Sequence, residues 1–407
     1  MRDVMDALAT PPPPPSIAAD IPFAGGLLLL LNYSLAHEIE QLPSTTEDRD
    51  GLPDLLAHAS PGAVLVPRGG GDALLAWLPV EEHGEGPRWG LTEKEALGVL
   101  AVARHALKDP RPLDFDDSPH EGRPLSAPRA LWERADHEAA VREVIENLRA
   151  GEIYQANLTQ RFEVPWQGSA LPLHAVLRRT NPSPFSGWFR GLGRGWDVVS
   201  GSPERLVRLR GSELLTEPIK GTIAIPGGAD ASDEEIVALA GRLAASEKDR
   251  AEHVMMVDLH RNDLGRVSAP GTVRVEQMMR LDRRTHVIQA IADIRSTLRE
   301  GADAVDVIEA MFPAGSVTGV PKIRAMEILD SLERWSRGPY CGSFGFISSW
   351  GDMDLNVLIR SAWSAGGRLA FAAGGGIVLD SDPGAEYEES LAKTAALRGA
   401  IEGLLAP

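Results

Sequence analysis

Thr216-Glu217-Pro218-Ile219-Lys220-Gly221-Thr222 sets one lysine between an apolar, strand-like stretch and a Gly-Thr pair that reads as a turn. Ser202-Pro203-Glu204-Arg205 brings an acid into the same neighbourhood. A lysine attacks carbon only when unprotonated, so a nucleophilic Lys220 needs a site that depresses its pKa by burial or a nearby cation. The plain alternative is a solvated lysine at a strand end, the usual state of that side chain.

Outward from this stretch, the 407 residues suffice for one large domain or two ordinary ones. A hydrophobic share of 43% with 24% charged residues places the chain among globular proteins. The net charge of -17 argues against non-specific nucleic-acid binding and against anionic membranes. The single cysteine, Cys341, excludes an intrachain disulfide framework and a cysteine-rich zinc site, which fits a reducing cytoplasm. Its Pro-Tyr-Cys-Gly setting lacks the Gly-x-Cys-x-Gly elbow of a glutamine-hydrolysing thiol, so it reads as a small buried hydrophobe. The longest apolar run, Leu27 to Leu31, is too short to span a bilayer, and no secretory signal pattern opens the chain.

Pro11 to Pro15 read as a stiff, extended segment. Residues 23–89 read as strands broken by Gly and Pro, residues 91–107 as a helix, and residues 109–130, rich in Pro, Asp and Ser, as a linker. Further strands are expected at 158–164, 196–201, 205–209, 343–349, 355–363 and 368–373, and helices at 136–150, 232–262, 303–311, 321–335 and 385–404. The alternation is irregular and no repeat is visible, which favours an α+β arrangement over a doubly wound parallel sheet.

Two carboxylate pairs, Asp249/Glu252 and Glu386/Glu389, have the spacing that puts both groups on one helix face. One carboxylate from each helix could hold a Mg2+ that keeps several waters; a solvated acidic face is the alternative. Ala373-Gly374-Gly375-Gly376-Ile377 follows a strand pattern and would let backbone amides approach an anion, or form a simple bulge or turn. Arg360 ends an apolar run and calls for a partner, either a substrate carboxylate or a structural acid. Tyr340 is either a core aromatic or a hydroxyl offered to a ligand.

Together these stretches resemble the chorismate-utilising enzymes, and among them the aminodeoxychorismate synthases, component I. The resemblance rests on Gly151-Glu152-Ile153-Tyr154-Gln155-Ala156-Asn157-Leu158, Ser202–Arg205, Pro218–Thr222 and Asp249-Arg250-Ala251-Glu252-His253. It continues through Val257–Asp263, Phe312–Lys322 and Ala373–Ile377, covering about residues 136–400. It implies antiparallel β-sheets forming a sandwich with helices outside, a shortened N-terminal region at 1–120 packing on the core, and a catalytic domain at 121–407. It implies that Lys220 attacks chorismate at C2 while Glu204 protonates the departing C4 hydroxyl, and that ammonia then displaces the lysine. It further implies Mg2+ on Glu252 and Glu389, with Glu386 and Asp249 behind them or binding through water. Gly221, Thr222, Tyr340, Arg360, Gly374, Gly375 and Gly376 would fix the substrate. Ammonia would come from a separate glutamine amidotransferase subunit, and the product, 4-amino-4-deoxychorismate, leads towards p-aminobenzoate and folate.

Anthranilate synthases typically carry alanine at the position of Lys220, and isochorismate synthases a lysine at the position of Gln155; both comparisons favour para-amination. The alternatives are an anthranilate synthase component I, or a catalytically silent chorismate-binding subunit. Three positions depart from the family pattern. Gln289 stands where a histidine linked to pyruvate elimination is usual. Glu217 stands where an arginine is common, which makes the surroundings of Lys220 more negative. The chain is read as beginning late, so tight tryptophan binding is not expected; micromolar binding by calorimetry would refute that.

Overall fold

The structure is a computed structural model that describes residues 1, 2, 5, 9, 10, 21–67, 73–79, 90–108, 122–191, 193 and 195–405, the side chains of 106–108, 229, 248 and 249 excepted. The Pro11–Pro15 segment and residues 109–121 of the expected linker lie outside the described residues.

The first part of the chain forms β1 (Gly26–Leu31), α1 (Ala36–Ile39), β2 (Leu55–Ser60), β3 (Gly62–Leu65), β4 (Leu74–Trp77) and α2 (Glu93–Lys108). Then come β5 (Arg123–Pro124), β6 (Arg129–Ala130), α3 (Arg134–Arg149), β7 (Gln155–Gln167), α4 (Leu171–Thr180), β8 (Phe185–Gly191), β9 (Trp196–Ser202), β10 (Arg205–Arg210), β11 (Glu213–Glu217) and β12 (Ile219–Ala224). Next are α5 (Asp233–Ala245), α6 (Glu247–Gly265), β13 (Arg274–Arg283), β14 (Val287–Thr297), α7 (Ala304–Met311), β15 (Gly319–Val320) and α8 (Lys322–Leu332). The chain closes with β16 (Ser343–Ser348), β17 (Met353–Asn356), β18 (Ala362–Ala365), β19 (Arg368–Ile377) and α9 (Pro383–Gly403).

A nine-stranded sheet runs β12-β14-β11-β10-β17-β16-β1-β2, with β13 on β14. An eight-stranded sheet runs β15-β7-β19-β18-β9-β8, with β5 and β6 on β7. Strand alternation explains how the layers stack. Along β19, Ala370 and Ala372 join Val198 and Trp363 in a core shared with Leu27, Leu29, Leu206 and Ile347 of the larger sheet. Leu369 and Phe371 point the other way, into a second core with Leu173 and Leu177 of α4 and Leu397 and Ile401 of α9. The result is a sandwich of antiparallel sheets with helices outside, the expected α+β fold.

Several boundaries differ from the sequence reading, each for a local reason. The long helix expected at 232–262 is two helices, because Ser246 is extended (φ -69°, ψ 112°) between α5 and α6. Serine ahead of Glu247 and Asp249 is a helix-start signal. The strand expected at 355–363 is split: Arg360 has φ 51°, a left-handed backbone that no strand can carry. Residues 123–124 and 129–130 of the expected linker pair with β7. The segment Lys220-Gly221-Thr222 does not turn but continues β12, and Gly374–Gly376 lie within β19 rather than after it.

Candidate active site

The site begins with an irregularity. Ile219 pairs with Ile291 and Thr222 with Gln289, so Lys220 and Gly221 together oppose the single residue Ala290. This is a β-bulge, which bends a strand and re-aims its side chains. Gly221 has φ +86°, which favours glycine and accounts for the Lys-Gly order.

The half-buried Lys220 reaches towards the glycine strip of β19. Its Nζ lies 3.0 Å from where a Cβ on Gly376 would stand, and Gln155 Nε2 lies 2.0 Å from the same point. A Cβ on Gly375 would meet Glu386 Oε2 at 2.7 Å and Glu389 Oε1 at 3.7 Å; one on Gly374 would meet the Leu158 carbonyl at 2.5 Å. Gly376 therefore serves close approach by an amine and an amide, Gly375 by two carboxylates, and Gly374 by the neighbouring strand. Lys393 Nζ donates to the Gly374 carbonyl (2.8 Å) and pairs with Glu389 (2.7 Å).

Glu204 stands at the start of β10, buried, with Ser316 Oγ donating to its Oε1 at 2.6 Å. Burial pushes its carboxyl up to about 7, while Ser316, Lys220, the Ile219 amide and Arg360 pull it back. Lys220 moves in the direction a nucleophile requires: burial lowers its pKa and Lys393 lowers it further, against Glu252, Glu204 and Glu389. Burial also lowers Arg360, opposed by Glu204, and Arg360 forms no ion pair among the described residues. Burial raises the Tyr340 hydroxyl, which faces the Gly374 amide, well above its ordinary value.

Thus Lys220, Glu204, Arg360, Tyr340, Glu252, Glu386, Glu389 and the three glycines converge. Thr222 is exposed, and the Asp249 side chain lies outside the described residues, although its backbone is in α6. Glu217 is not left to burden Lys220: it is ion-paired with Arg205 and, at 2.7 Å, with Arg280, and it is not among the largest charges that act on the amine. Cys341 is fully buried and burial pushes its thiol up to about 12, as expected of an inert core residue. The sequence reading left Ser316 and Lys393 without a role. Lys393 had a signal, since it follows Glu389 by one helical turn; Ser316 lay within the Phe312–Lys322 stretch, but its role was hidden because its partner is 112 residues away.

Among the described residues no three acidic, histidine or cysteine side chains already form a metal cage. The donors at hand are the carboxylates of Glu386 and Glu389 on α9, which border Gly375, and of Glu252 on α6, which with Glu389 acts on the Lys220 amine. Such a sparse, hard-oxygen set fits Mg2+, which takes one or two carboxylates and fills its octahedron with water and substrate oxygens.

A sandwich that brings an amine, a raised-pKa acid and carboxylates to one glycine strip is built as an enzyme site. Residues 4–399 match the family described as chorismate binding enzyme, and the chain belongs to that family. It is 40% identical over 381 residues to anthranilate synthase component 1 of Thermus thermophilus, covering 94% of this chain and 78% of that protein. To anthranilate synthase component 1 of Streptomyces coelicolor it is 37% identical over 392 residues, covering 93% and 73%. The crystal structure of anthranilate synthase component I from Streptococcus pneumoniae superposes with a TM-score of 0.82 at 28% identity, over 97% of this chain and 85% of that one. These names agree with the alternative raised from the sequence, anthranilate synthase component I, better than with the aminodeoxychorismate reading. Among the described residues no helix is long and apolar enough to cross a membrane.

Proposed function

We propose that this chain is the chorismate-converting subunit of an enzyme that aminates chorismate with ammonia. The single observation that carries the reading is the position of Lys220, half-buried over the glycine strip with its pKa lowered. In this reading the Lys220 amine bonds to ring C2 as the C4–O bond breaks, and the departing hydroxyl takes the Glu204 proton and leaves as water. The secondary ammonium then loses a proton. Ammonia bonds to C4, the C2–N bond breaks, and the lysine leaves with a proton returned to it, giving 4-amino-4-deoxychorismate. Arg360 and the β19 glycines orient the substrate carboxylates, and Tyr340 closes the floor. Glu252 and Glu389, with Glu386, would hold Mg2+, which supplies charge neutralisation for a bound carboxylate. A separate glutamine amidotransferase chain would supply the ammonia, since Cys341 is a buried, raised-pKa thiol.

The relatives' names favour a second reading, ortho-amination to anthranilate. Lys220 and Gln289, which occupy the positions of a usual alanine and histidine, favour the para product. Supplying chorismate, Mg2+ and ammonium, with and without an aminodeoxychorismate lyase, separates them. p-Aminobenzoate only with lyase supports the para reading; anthranilate without lyase defeats it. Lys220→Ala should abolish para-amination in a folded protein.

A further inference from the structure

The bulge that aims Lys220 also sets its backbone a problem. Two residues stand against one, so the ladder is interrupted where the amine must be held most firmly. At that point the Lys220 carbonyl meets His253 Nδ1 at 3.1 Å. A carbonyl only accepts, so Nδ1 carries a proton and donates it. His253 is buried, and its other ring nitrogen, Nε2, has no partner among the described residues. The Nδ1 bond is therefore the ring's one polar anchor there. His253 directly follows Glu252, one of the carboxylates that act on Lys220, and both belong to α6, which lies against β12.

We infer that His253 is a positioning residue: its Nδ1–H pins the Lys220 backbone at the bulge and so fixes where the amine stands over the Gly374–Gly376 strip, locking the helix of Glu252 to the strand of Lys220. The inference rests on the proposed nucleophilic role of Lys220. A buried histidine that merely filled space would be insensitive to which of its ring nitrogens is imitated. A positioning histidine would not be, because an asparagine amide stands near the place of Nδ1 and a glutamine amide near that of Nε2.

The test measures kcat, KM for chorismate and the thermal midpoint of His253→Asn, His253→Gln and His253→Leu with Mg2+ and ammonium, alongside Lys220→Ala. A displacement of about 1 Å from reacting geometry costs roughly 10²-fold, so His253→Leu should lose about 10- to 100-fold in kcat with KM changed less than about threefold. His253→Asn should recover to within about fivefold of the parent, while His253→Gln should behave like His253→Leu. Equal rates in the Asn and Gln variants, or parental kcat in His253→Leu, would overturn the inference. Should His253→Leu not fold, the Asn and Gln pair decides alone. Parental activity in Lys220→Ala would instead remove the nucleophile, and with it both the functional reading and the need to place an amine.

Discussion

Lys220 Nζ and the Cα of Gly376 face each other so closely that a single methyl group on the glycine would stand 3.0 Å from the amine. The same methyl would stand 2.0 Å from Gln155 Nε2, inside any real contact distance. Both obstacles are the far ends of flexible side chains, so the fold can yield while the site cannot. Gly376→Ala should therefore leave the thermal midpoint nearly unchanged and lower kcat with chorismate by about 10²-fold. A Gly376→Ala protein with parental kcat would show that the amine does not work from this position.

The pair Glu204 and Ser316 gives a pH prediction. The Glu204 carboxyl is raised from an ordinary 4.5 to about 7, chiefly by burial. A raised folded pKa contributes stability that is full below the unfolded value and is lost as pH rises through about 7. As a proton donor, Glu204 acts only while protonated, so the rate should fall as pH climbs through the same range. The Ser316 hydrogen bond holds the pKa down, so Ser316→Ala should move this falling limb to higher pH. A kcat profile across neutral pH checks it; an unmoved limb would take Glu204 out of the donor role.

Much of this site was legible in the sequence because its parts are local. The Pro-Ile-Lys-Gly-Thr order marks a break at its left-handed glycine, although it reads as a turn and is a bulge within β12, and the i, i+3 carboxylates encode a helix face. What failed was non-local. Residues 274–283 read as no element because β13 carries Arg274, Glu276, Arg280 and Asp282, charges that make sense only once β14 brings Arg295 and Asp293 alongside. Glu217 looked like a threat to Lys220 because its neutralising partner Arg280 is 63 residues away. The Arg360 kink was hidden because an apolar run reads as one strand whether or not its backbone turns left-handed at the end.

Mg2+ addition gives a third prediction. Glu389 is already paired with Lys393, but both side chains are about half exposed to solvent, and exposed pairs contribute only about 0–1 kcal/mol. The pair should yield readily to a divalent ion. Glu389→Gln should weaken Mg2+ binding, read by calorimetry in the presence of chorismate, and abolish turnover without lowering the thermal midpoint. Chelation should silence the parent enzyme reversibly. Undiminished turnover after exhaustive chelation would separate these carboxylates from any metal role.

The last prediction concerns what keeps the two sheets registered around the site. Asp50, in the loop before β2, takes two hydrogen bonds from Arg161 of β7, at 2.7 and 2.8 Å, and a third from Trp363 Nε1 of β18 at 2.8 Å. Arg161 and Asp50 are both 5% exposed, and the guanidinium lies 5.2 Å over the Trp363 ring. Glu163, 3.0 Å from Arg161, supplies a second acid. Asp50→Asn keeps the shape and an acceptor for the indole but removes a charge from a dry network. Removing one partner of a buried pair costs about 3–5 kcal/mol, and Glu163 should hold the loss near the lower figure, about 3 kcal/mol. Denaturant unfolding should show that loss as a lower midpoint, with kcat of the folded protein close to parental because no atom of this network touches the amine cluster. Asp50→Leu, which leaves Arg161 short of a partner and the indole N–H without an acceptor, should cost more than Asp50→Asn. Equal midpoints for the two variants would mean that solvent, not Asp50, balances Arg161.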